Sequence, residues 1–292
     1  MKYYLILLLA GLTACSPAEE SVTGTDTPAE ALRIVSLGGS LTELLYDLGY
    51  GDAIVGVDVT SVYPTAVNNK PKLGHLRQLN VEGLLELNPT VIFTDAETKD
   101  NQALNTIAEA GVEIIYVPLG ATLDNAAKAA AFLGQHLELP PTKVSAYRER
   151  IRVDSLALAA TLADAKGPQP RVLFVYARGA NRLMVAGADT EAATMIELAG
   201  GKNAINSFTD FKPLTPEALV EAAPDVILMF TSGLKSLDGK EGLAGVPGIS
   251  ATPAYRQDRI VAMDGLYLLG FGPRAARAAN ELAQYLYPAQ TK

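Results

Sequence analysis

Short apolar runs alternate with longer amphipathic stretches along the first half of the chain. The apolar runs predict strands, which cover residues 33–37, 54–57, 91–94 and 114–117. The stretches between them predict helices, which cover residues 42–48, 81–87 and 103–110. Strands and helices that alternate in this order predict a parallel sheet with helices packed on both faces.

One long helix interrupts this alternation. Residues 142–165 contain no Gly or Pro and carry Ala and Leu at helical spacing, with Pro140 and Pro141 before them and Gly167 and Pro168 after them. The alternation then resumes. The second half predicts strands over residues 171–175, 226–230 and 260–263, and a final helix over residues 274–286.

An internal repeat relates the two halves, because residues 82–92 match residues 217–227 without a gap. Two strand–helix lobes joined by one long helix predict an α/β clamshell with parallel sheets and a single cleft. We therefore expect an N-terminal lobe over residues 32–139, an interlobe helix over residues 140–168 and a C-terminal lobe over residues 169–292.

The N-terminus carries a separate signal. Its apolar run, residues 5–12, is much shorter than the roughly 20 residues that cross a bilayer, so residues 1–14 predict a signal peptide. The ending Leu-Thr-Ala-Cys resembles a bacterial lipobox and predicts that Cys15 is lipidated; the alternative is an incidental thiol in an ordinary secretory signal. Residues 15–31, rich in Ser, Thr, Pro and Glu, predict a flexible tether. We expect the protein on the periplasmic side of a bacterial membrane, or on the cell surface if there is no outer membrane, held through the lipid anchor only.

Composition excludes several classes of function. The net charge of −8 argues against a nucleic-acid binder. One Cys and two His exclude a disulfide framework, Cys-rich zinc or iron–sulfur sites and a His-cluster metal centre. Gly38-Gly39-Ser40 lacks the spacing of a phosphate loop and predicts a tight turn, with Ser40 as a helix N-cap and Glu43 in the first helical turn. No nucleophile motif appears, and the sequence predicts that the protein is not an enzyme.

Six segments carry a family resemblance that extends over the chain after the tether. They are RIVSLGGSLTELLYDLG (33–49), GVDVTSVYP (56–64), KLGHLRQLNVEGLLELNP (72–89), LMVAGADTEAATMIELAGGKNA (183–204), PLTPEALVEAAPDVIL (213–228) and GLYLLGFGPR (265–274). Together they resemble the hemin-binding periplasmic proteins of ABC haem importers, within the wider group of substrate-binding proteins for vitamin B12 and ferric siderophores. The resemblance implies that the protein, as a monomer, captures haem b and delivers it to an ABC permease dimer with its ATPase.

The resemblance also implies the iron ligands. The family usually has a Tyr as axial ligand in the KLGxxRQL loop, and this sequence has His75 there. His75 lies in a loop just ahead of the helix predicted from Val81, which places it at the sheet edge where ligands of open α/β folds bind. Imidazole is a good haem ligand, although phenolate favours ferric iron more strongly. Some relatives add a His from the loop after the first strand of the second lobe. That loop contains no His here, and Tyr176 is the candidate for a second axial ligand.

Other residues are candidates for the rest of the site. Haem propionates need cations, and Arg77, Arg178 and Arg182 are the candidates, the alternative being ordinary surface ion pairs. The porphyrin face needs aromatic partners, for which the loop residues are Tyr63, Tyr255, Tyr267 and Phe271, the alternative being ordinary packing.

Two acidic residues are the candidates for contact with a permease. Glu82 and Glu217 occupy equivalent repeat positions, and the family uses one such residue per lobe to dock on its permease. Their alternative role is to interact with the helix dipole. The remaining histidine, His136, is predicted to cap the C-terminus of a helix.

Two alternative functions remain open in the sequence. The same fold would carry cobalamin or a ferric siderophore, in which case His75 would be incidental. A metal-cofactor enzyme or a sensor with the same two-lobe architecture is the alternative from a different class.

Overall fold

The computed structural model describes residues 31–180 and 182–288, so the predicted signal peptide, Cys15 and nearly all of the tether lie outside the described residues. The first lobe contains a four-stranded parallel sheet in the order β2-β1-β3-β4. Its strands are β1 (Ile34–Leu37), β2 (Ile54–Val57), β3 (Val91–Asp95) and β4 (Glu113–Val117). Its helices are α1 (Gly39–Asp47), α2 (Val81–Glu86), α3 (Gln102–Glu109) and α4 (Asn125–His136).

A single long helix, α5 (Pro141–Asp164), joins the lobes. Proline fits the first turn because its missing N–H has no partner there in any helix. Tyr147 and Ile151 pack into the core of the first lobe, whereas Leu158 packs into the core of the second. The helix therefore contributes apolar side chains to both cores. Among the described residues, no helix is both long enough and apolar enough to cross a membrane.

The second lobe contains a mixed sheet in the order β10-β9-β5-β6-β8, with β7 paired to β5. Its strands are β5 (Arg171–Ala177), β6 (Leu183–Ala186), β7 (Lys202–Asn203), β8 (Phe211–Pro213), β9 (Val226–Phe230) and β10 (Ile260–Met263). Its helices are α6 (Glu191–Leu198), α7 (Pro216–Ala222), α8 (Thr231–Lys235), α9 (Gly239–Ala244), α10 (Pro253–Arg256), α11 (Gly265–Leu269) and α12 (Ala275–Leu286).

The structure confirms two α/β lobes joined by a long helix, with one difference in the second sheet. Strands β6 and β8 are antiparallel to their neighbours, whereas the sequence predicted parallel strands only. Only residues 178–182 separate β5 from β6. A parallel crossover needs a dozen or more residues, so this short connection forms a hairpin.

The predicted start of the first helix is wrong. Helix α1 begins at Gly39 with Gly38 as its N-cap and no side-chain cap, so Ser40 lies inside the first turn. A Cβ on Gly39 would stand 2.7 Å from both Leu266 Cδ1 and the Thr60 carbonyl oxygen, so glycine permits this close approach. The Glu43 side chain does not cap the helix but is buried against the second lobe.

Candidate functional site

The carboxyl ends of the parallel strands in both sheets lie where the two lobes meet. The residues that follow β1 approach Leu266 on α11, the helix that follows β10. A Cβ on Gly272 would stand 2.9 Å from Ser40 Cβ, so a second loop of the C-terminal lobe meets the same turn. Ligands of open α/β sheets bind at the carboxyl ends of the strands. We call this junction of the two carboxyl edges the interlobe edge, and it is the candidate site.

His75 lies at the interlobe edge because the chain before it runs alongside the end of β2. Leu73 N donates to the Val57 carbonyl at 2.9 Å, and Val59 N donates to the Gly74 carbonyl at 3.1 Å. The chain turns at Gly74, whose φ of +89° is a conformation that glycine adopts at low cost. His75 itself is exposed. The sequence placed His75 at this edge, and its role toward iron stays a prediction.

The second lobe brings three predicted residues to its own carboxyl edge. Tyr176 lies near the end of β5, half-buried, with its ring at 90° to Phe230 and 5.9 Å from it. The Arg178 guanidinium carbon lies 5.5 Å from the centroid of the Tyr176 ring. Arg178 N donates to the Arg182 carbonyl at 3.0 Å across the hairpin turn. Tyr176, Arg178 and Arg182 therefore share one end of the β5–β6 hairpin.

The three candidate cations are exposed. Arg77 lies in the short turn Leu76–Gln78, next to His75. In the parts of the chain that the structure describes, neither Arg77 nor Arg178 nor Arg182 forms a salt bridge. Ordinary ion pairing within the described chain therefore does not account for them.

A cluster that the sequence did not predict crosses the lobe interface. Arg274 Nε donates to Glu43 Oε1 at 2.6 Å, and Arg274 Nη2 donates to Glu43 Oε2 at 2.8 Å. The guanidinium carbon lies 3.8 Å from the Tyr63 ring centroid and 5.0 Å from that of Tyr267. We call Glu43, Tyr63, Tyr267 and Arg274 the arginine cluster. It brings together Tyr63 and Tyr267, two of the four predicted aromatic residues.

Burial sets the electrostatics of the arginine cluster. Burial raises the pKa of Glu43, and the hydrogen bonds and charge of Arg274 act in the opposite direction. Burial, with the neighbouring Glu281, raises the pKa of Tyr267 to about 12. A bidentate guanidinium–carboxylate pair is a strong, geometrically specific contact. Two features of the sequence pointed to these residues. Glu43 is a charged residue on the apolar face of α1, and Arg274 ends the segment GLYLLGFGPR.

The structure contradicts two of the four aromatic residues that were predicted to contact the porphyrin. Phe271 is only 3% exposed and packs in the core of the second lobe, so its ring is not available to a ligand. Tyr255 lies on α10, where the neighbouring Ala254 N donates to the Pro224 carbonyl just before β9. That contact places Tyr255 at the amino edge of the sheet, away from the interlobe edge.

A buried carboxylate that the sequence analysis missed fixes two turns at the interlobe edge. Asp58 Oδ1 accepts from Gly38 N at 3.1 Å and from Ser61 Oγ at 2.6 Å, and Oδ2 accepts from Thr60 N at 3.0 Å. A chain of hydroxyls continues from Ser61 through Thr42 to Ser36. Asp58 therefore ties the turn after β1 to the turn after β2.

The remaining candidates lie where the sequence placed them. Glu82 and Glu217 are exposed and stand in the first turns of α2 and α7, whose N-caps are Asn80 and Thr215. Their role in docking stays a prediction. His136 ends α4, with Nδ1 3.1 Å from the Phe132 carbonyl oxygen, which agrees with a helix-terminal role.

Comparison with known proteins gives consistent results. A profile described as periplasmic binding protein matches residues 34–266. The haem-binding protein RhuT from Roseiflexus sp. RS-1 is 38% identical with a TM-score of 0.83, over 88% of this chain and 98% of RhuT. BhuT, solved with two haems, is 36% identical with a TM-score of 0.82, over 87% of this chain and 97% of BhuT. These are solute-binding proteins and not enzymes, as the sequence predicted.

More distant relatives add two points. The haem-binding protein HmuT, 26% identical over 88% of this chain and 81% of HmuT with a TM-score of 0.79, was solved as separate alanine variants of a tyrosine and of an arginine two positions after it. The lipoprotein YvrC of Bacillus subtilis, an ABC transporter substrate-binding protein, is 25% identical over 89% of this chain and 81% of YvrC. A cobalamin-binding protein of Halobacterium salinarum is 27% identical over 91% of this chain and 74% of its own length.

Proposed function

We propose that this chain, which belongs to the periplasmic binding protein family and is a substrate-binding protein of an ABC transporter, carries haem. The observation that carries the proposal is His75, which stands exposed on a turn tied to the end of β2 at the interlobe edge. A neutral imidazole there is suited to bind haem iron axially. Solved relatives at 36–38% identity that are described as haem-binding proteins support the same cargo.

The exposed arginines support a dianionic porphyrin as cargo. Arg77 adjoins His75 in the first lobe, and Arg178 and Arg182 flank the hairpin of the second. Each guanidinium offers donors in a planar fork that fits a carboxylate. In a protein of net charge −8, exposed cations at the candidate site provide the local attraction that haem propionates require.

Tyr176 is the proposed second axial ligand. It stands at the carboxyl edge of the second sheet, and its ring is held against Phe230. The spacing of Tyr176 and Arg178 equals that of the tyrosine and arginine replaced in HmuT, which supports a joint role at the ligand. Tyrosinate is an established axial ligand of haem iron in proteins.

Delivery requires a partner and a location. We assign Glu82 and Glu217 to docking on a two-fold permease that works with its ATPase, because the two exposed carboxylates occupy equivalent places in the two lobes. We assign lipidation to Cys15, so that the protein works as a monomer tethered at the periplasmic side of a membrane, or at the cell surface where no outer membrane exists. The lipoprotein YvrC supports that location.

Cobalamin is the second candidate, because relatives of 25–27% identity are cobalamin- or vitamin B12-binding proteins. Cobalamin carries neutral amides around its ring where haem carries two carboxylates, so its ring edge would offer no carboxylate to the exposed arginines. A ligand-exchange experiment separates the two cargoes.

The experiment titrates the purified ligand-free protein with hemin, with cyanocobalamin and with a ferric siderophore, and follows the absorption and the quenching of tyrosine fluorescence. We expect saturable binding of hemin that excess cyanocobalamin does not displace. Saturable binding of cyanocobalamin or of the siderophore, with hemin bound only weakly, would assign the chain to the alternative cargo.

A further inference from the structure

Backbone hydrogen bonds close the turn that carries His75 at both of its ends. We call residues 74–78 the His75 loop. Besides the bond from Val59 N to the Gly74 carbonyl, the loop closes on itself, as Gln78 N donates to the His75 carbonyl at 2.7 Å. The Leu76 side chain packs inward against the apolar core, whereas His75 is exposed. Just beyond the loop, Asn80 N donates to the Leu73 carbonyl at 2.9 Å, so backbone bonds anchor the two ends of the loop, and its middle lies between them.

One side chain holds the middle of the loop. Asn101 Nδ2 donates to the Leu76 carbonyl at 2.9 Å. Within residues 31–180 and 182–288, no other side chain forms a hydrogen bond to the His75 loop. Asn101 therefore links the segment between β3 and α3 to the backbone carbonyl of Leu76, the residue after His75.

Asn101 is itself fixed at its other end. It is the N-cap of α3, where Oδ1 accepts from Ala103 N at 2.9 Å and from Leu104 N at 3.4 Å. Its backbone N donates to the Thr98 carbonyl at 3.0 Å. Because the amide oxygen is used by the helix, the amide nitrogen has one fixed direction, toward the loop.

We propose that Asn101 is a positioning residue that holds His75 in the orientation for axial ligation of the bound haem. The proposal rests on the proposed function. A side chain that binds a metal in a preformed site must be held within about 0.5 Å and 10–20° of its productive geometry by the residues that support it. Among the described residues no side chain forms a hydrogen bond to the His75 imidazole, so its orientation depends on the backbone at Leu76, which Asn101 holds.

The chain offers a variant that removes only the donor. Asn101→Asp keeps a side-chain oxygen for the N-cap of α3, where Asp caps as well as Asn, and loses the amide nitrogen. Asn80→Asp is the matched control. Asn80 caps α2 by accepting from Gly83 N at 3.0 Å and lies just beyond the same loop, but within the described chain its amide nitrogen does not bond residues 74–78. Both variants add one negative charge near the loop, and both keep their caps.

We expect Asn101→Asp to weaken hemin binding by about three- to tenfold, the loss that follows from one hydrogen bond. We also expect its Soret band to shift toward that of His75→Ala. Asn80→Asp should keep the native band and affinity. The uncharged variant Asn101→Ser, whose hydroxyl caps α3 but is too short to hold Leu76, should behave as Asn101→Asp.

A double variant separates positioning from general stability. If Asn101 acts through His75, Asn101→Asp adds no further loss of hemin affinity in the His75→Ala background. An equal loss in both backgrounds, or a fall in melting temperature with a native spectrum, would overturn the positioning role. The proposed function fails separately, since native protein that does not bind hemin, or a native spectrum in His75→Ala, removes His75 as a ligand whatever Asn101 does.

Discussion

Replacement of Arg274 by Ala tests the arginine cluster that crosses the two lobes. The Glu43 side chain is 4% exposed and the Arg274 side chain 22% exposed. Arg274→Ala leaves the Glu43 carboxylate buried without either of its two hydrogen bonds from the guanidinium. It also removes the cation between the Tyr63 and Tyr267 rings.

The expected cost follows from this geometry. Removal of one partner of a buried ion pair lowers the free energy of unfolding by about 3–5 kcal/mol. For a chain of this size that corresponds to a fall in Tm of roughly 6–20 °C. Arg152→Ala is the matched control, because Arg152 pairs with Glu149 through two hydrogen bonds of 2.7 and 2.6 Å while their side chains are 60% and 55% exposed. Loss of such an exposed pair lowers the free energy of unfolding by about 0–1 kcal/mol.

The pH dependence supplies a second signature. Burial already raises the pKa of Glu43 above its ordinary value of 4.5, and Arg274 is the main group that opposes the rise. Without Arg274 the folded state binds a proton at Glu43 more readily than the unfolded state does. The stability lost in Arg274→Ala is therefore largest above the folded pKa and is partly regained as the pH falls through it toward 4.5.

Urea unfolding at pH 8 and at pH 5, followed by circular dichroism, measures both effects. We expect Arg274→Ala to be much less stable than Arg152→Ala at pH 8 and closer to it at pH 5. Equal stability of the two variants at pH 8 would refute the assignment of a buried pair, and a deficit that does not change with pH would refute the role of Glu43.

Three further predictions concern the anchor, the docking surface and the second ligand. Cys15→Ser should move the protein from the membrane fraction to the soluble fraction, and an unlipidated mature N-terminus in the native protein, seen by mass spectrometry, would contradict the anchor. Reversal of charge at both Glu82 and Glu217 should leave hemin affinity unchanged and lower transport by the cognate permease, with a smaller effect for either reversal alone. A native rate of transport by the double variant at low salt, where screening is weakest, would contradict the docking role and leave both residues only their interaction with the helix dipole. Tyr176→Phe keeps the ring against Phe230 and should shift the Soret band without a change in Tm; an unshifted band would remove Tyr176 from the iron.

Local patterns predicted the elements of the fold well. The strands Ile54–Val57 and Ile260–Met263 have the predicted bounds, and the helix Pro141–Asp164 differs by one residue at each end. Proline and glycine mark the ends of that helix in the sequence itself. The antiparallel strand Leu183–Ala186 was missed, although the short connection before it excluded a parallel crossover.

Contacts between distant residues were harder to predict. Glu43 and Arg274 stand 231 positions apart, and no local pattern pairs them. Phe271 and Tyr255 were both assigned to loops at the cleft, but a loop position does not say whether a ring points into the core or which edge of a sheet the loop adjoins. His75 was placed better, because its segment continues directly from a strand pairing at the end of β2.

The absorption spectrum of the hemin-loaded protein, recorded for the native chain, His75→Ala and His136→Ala, tests the central claim most directly. The two variants lose the same kind of side chain, and only His75 lies at the interlobe edge, since His136 is held at the end of α4 by the Phe132 carbonyl. We predict a shifted Soret band and weaker hemin binding for His75→Ala, and a native spectrum for His136→Ala. An identical spectrum and affinity for the native protein and His75→Ala would contradict the assignment of His75 as the ligand that holds haem.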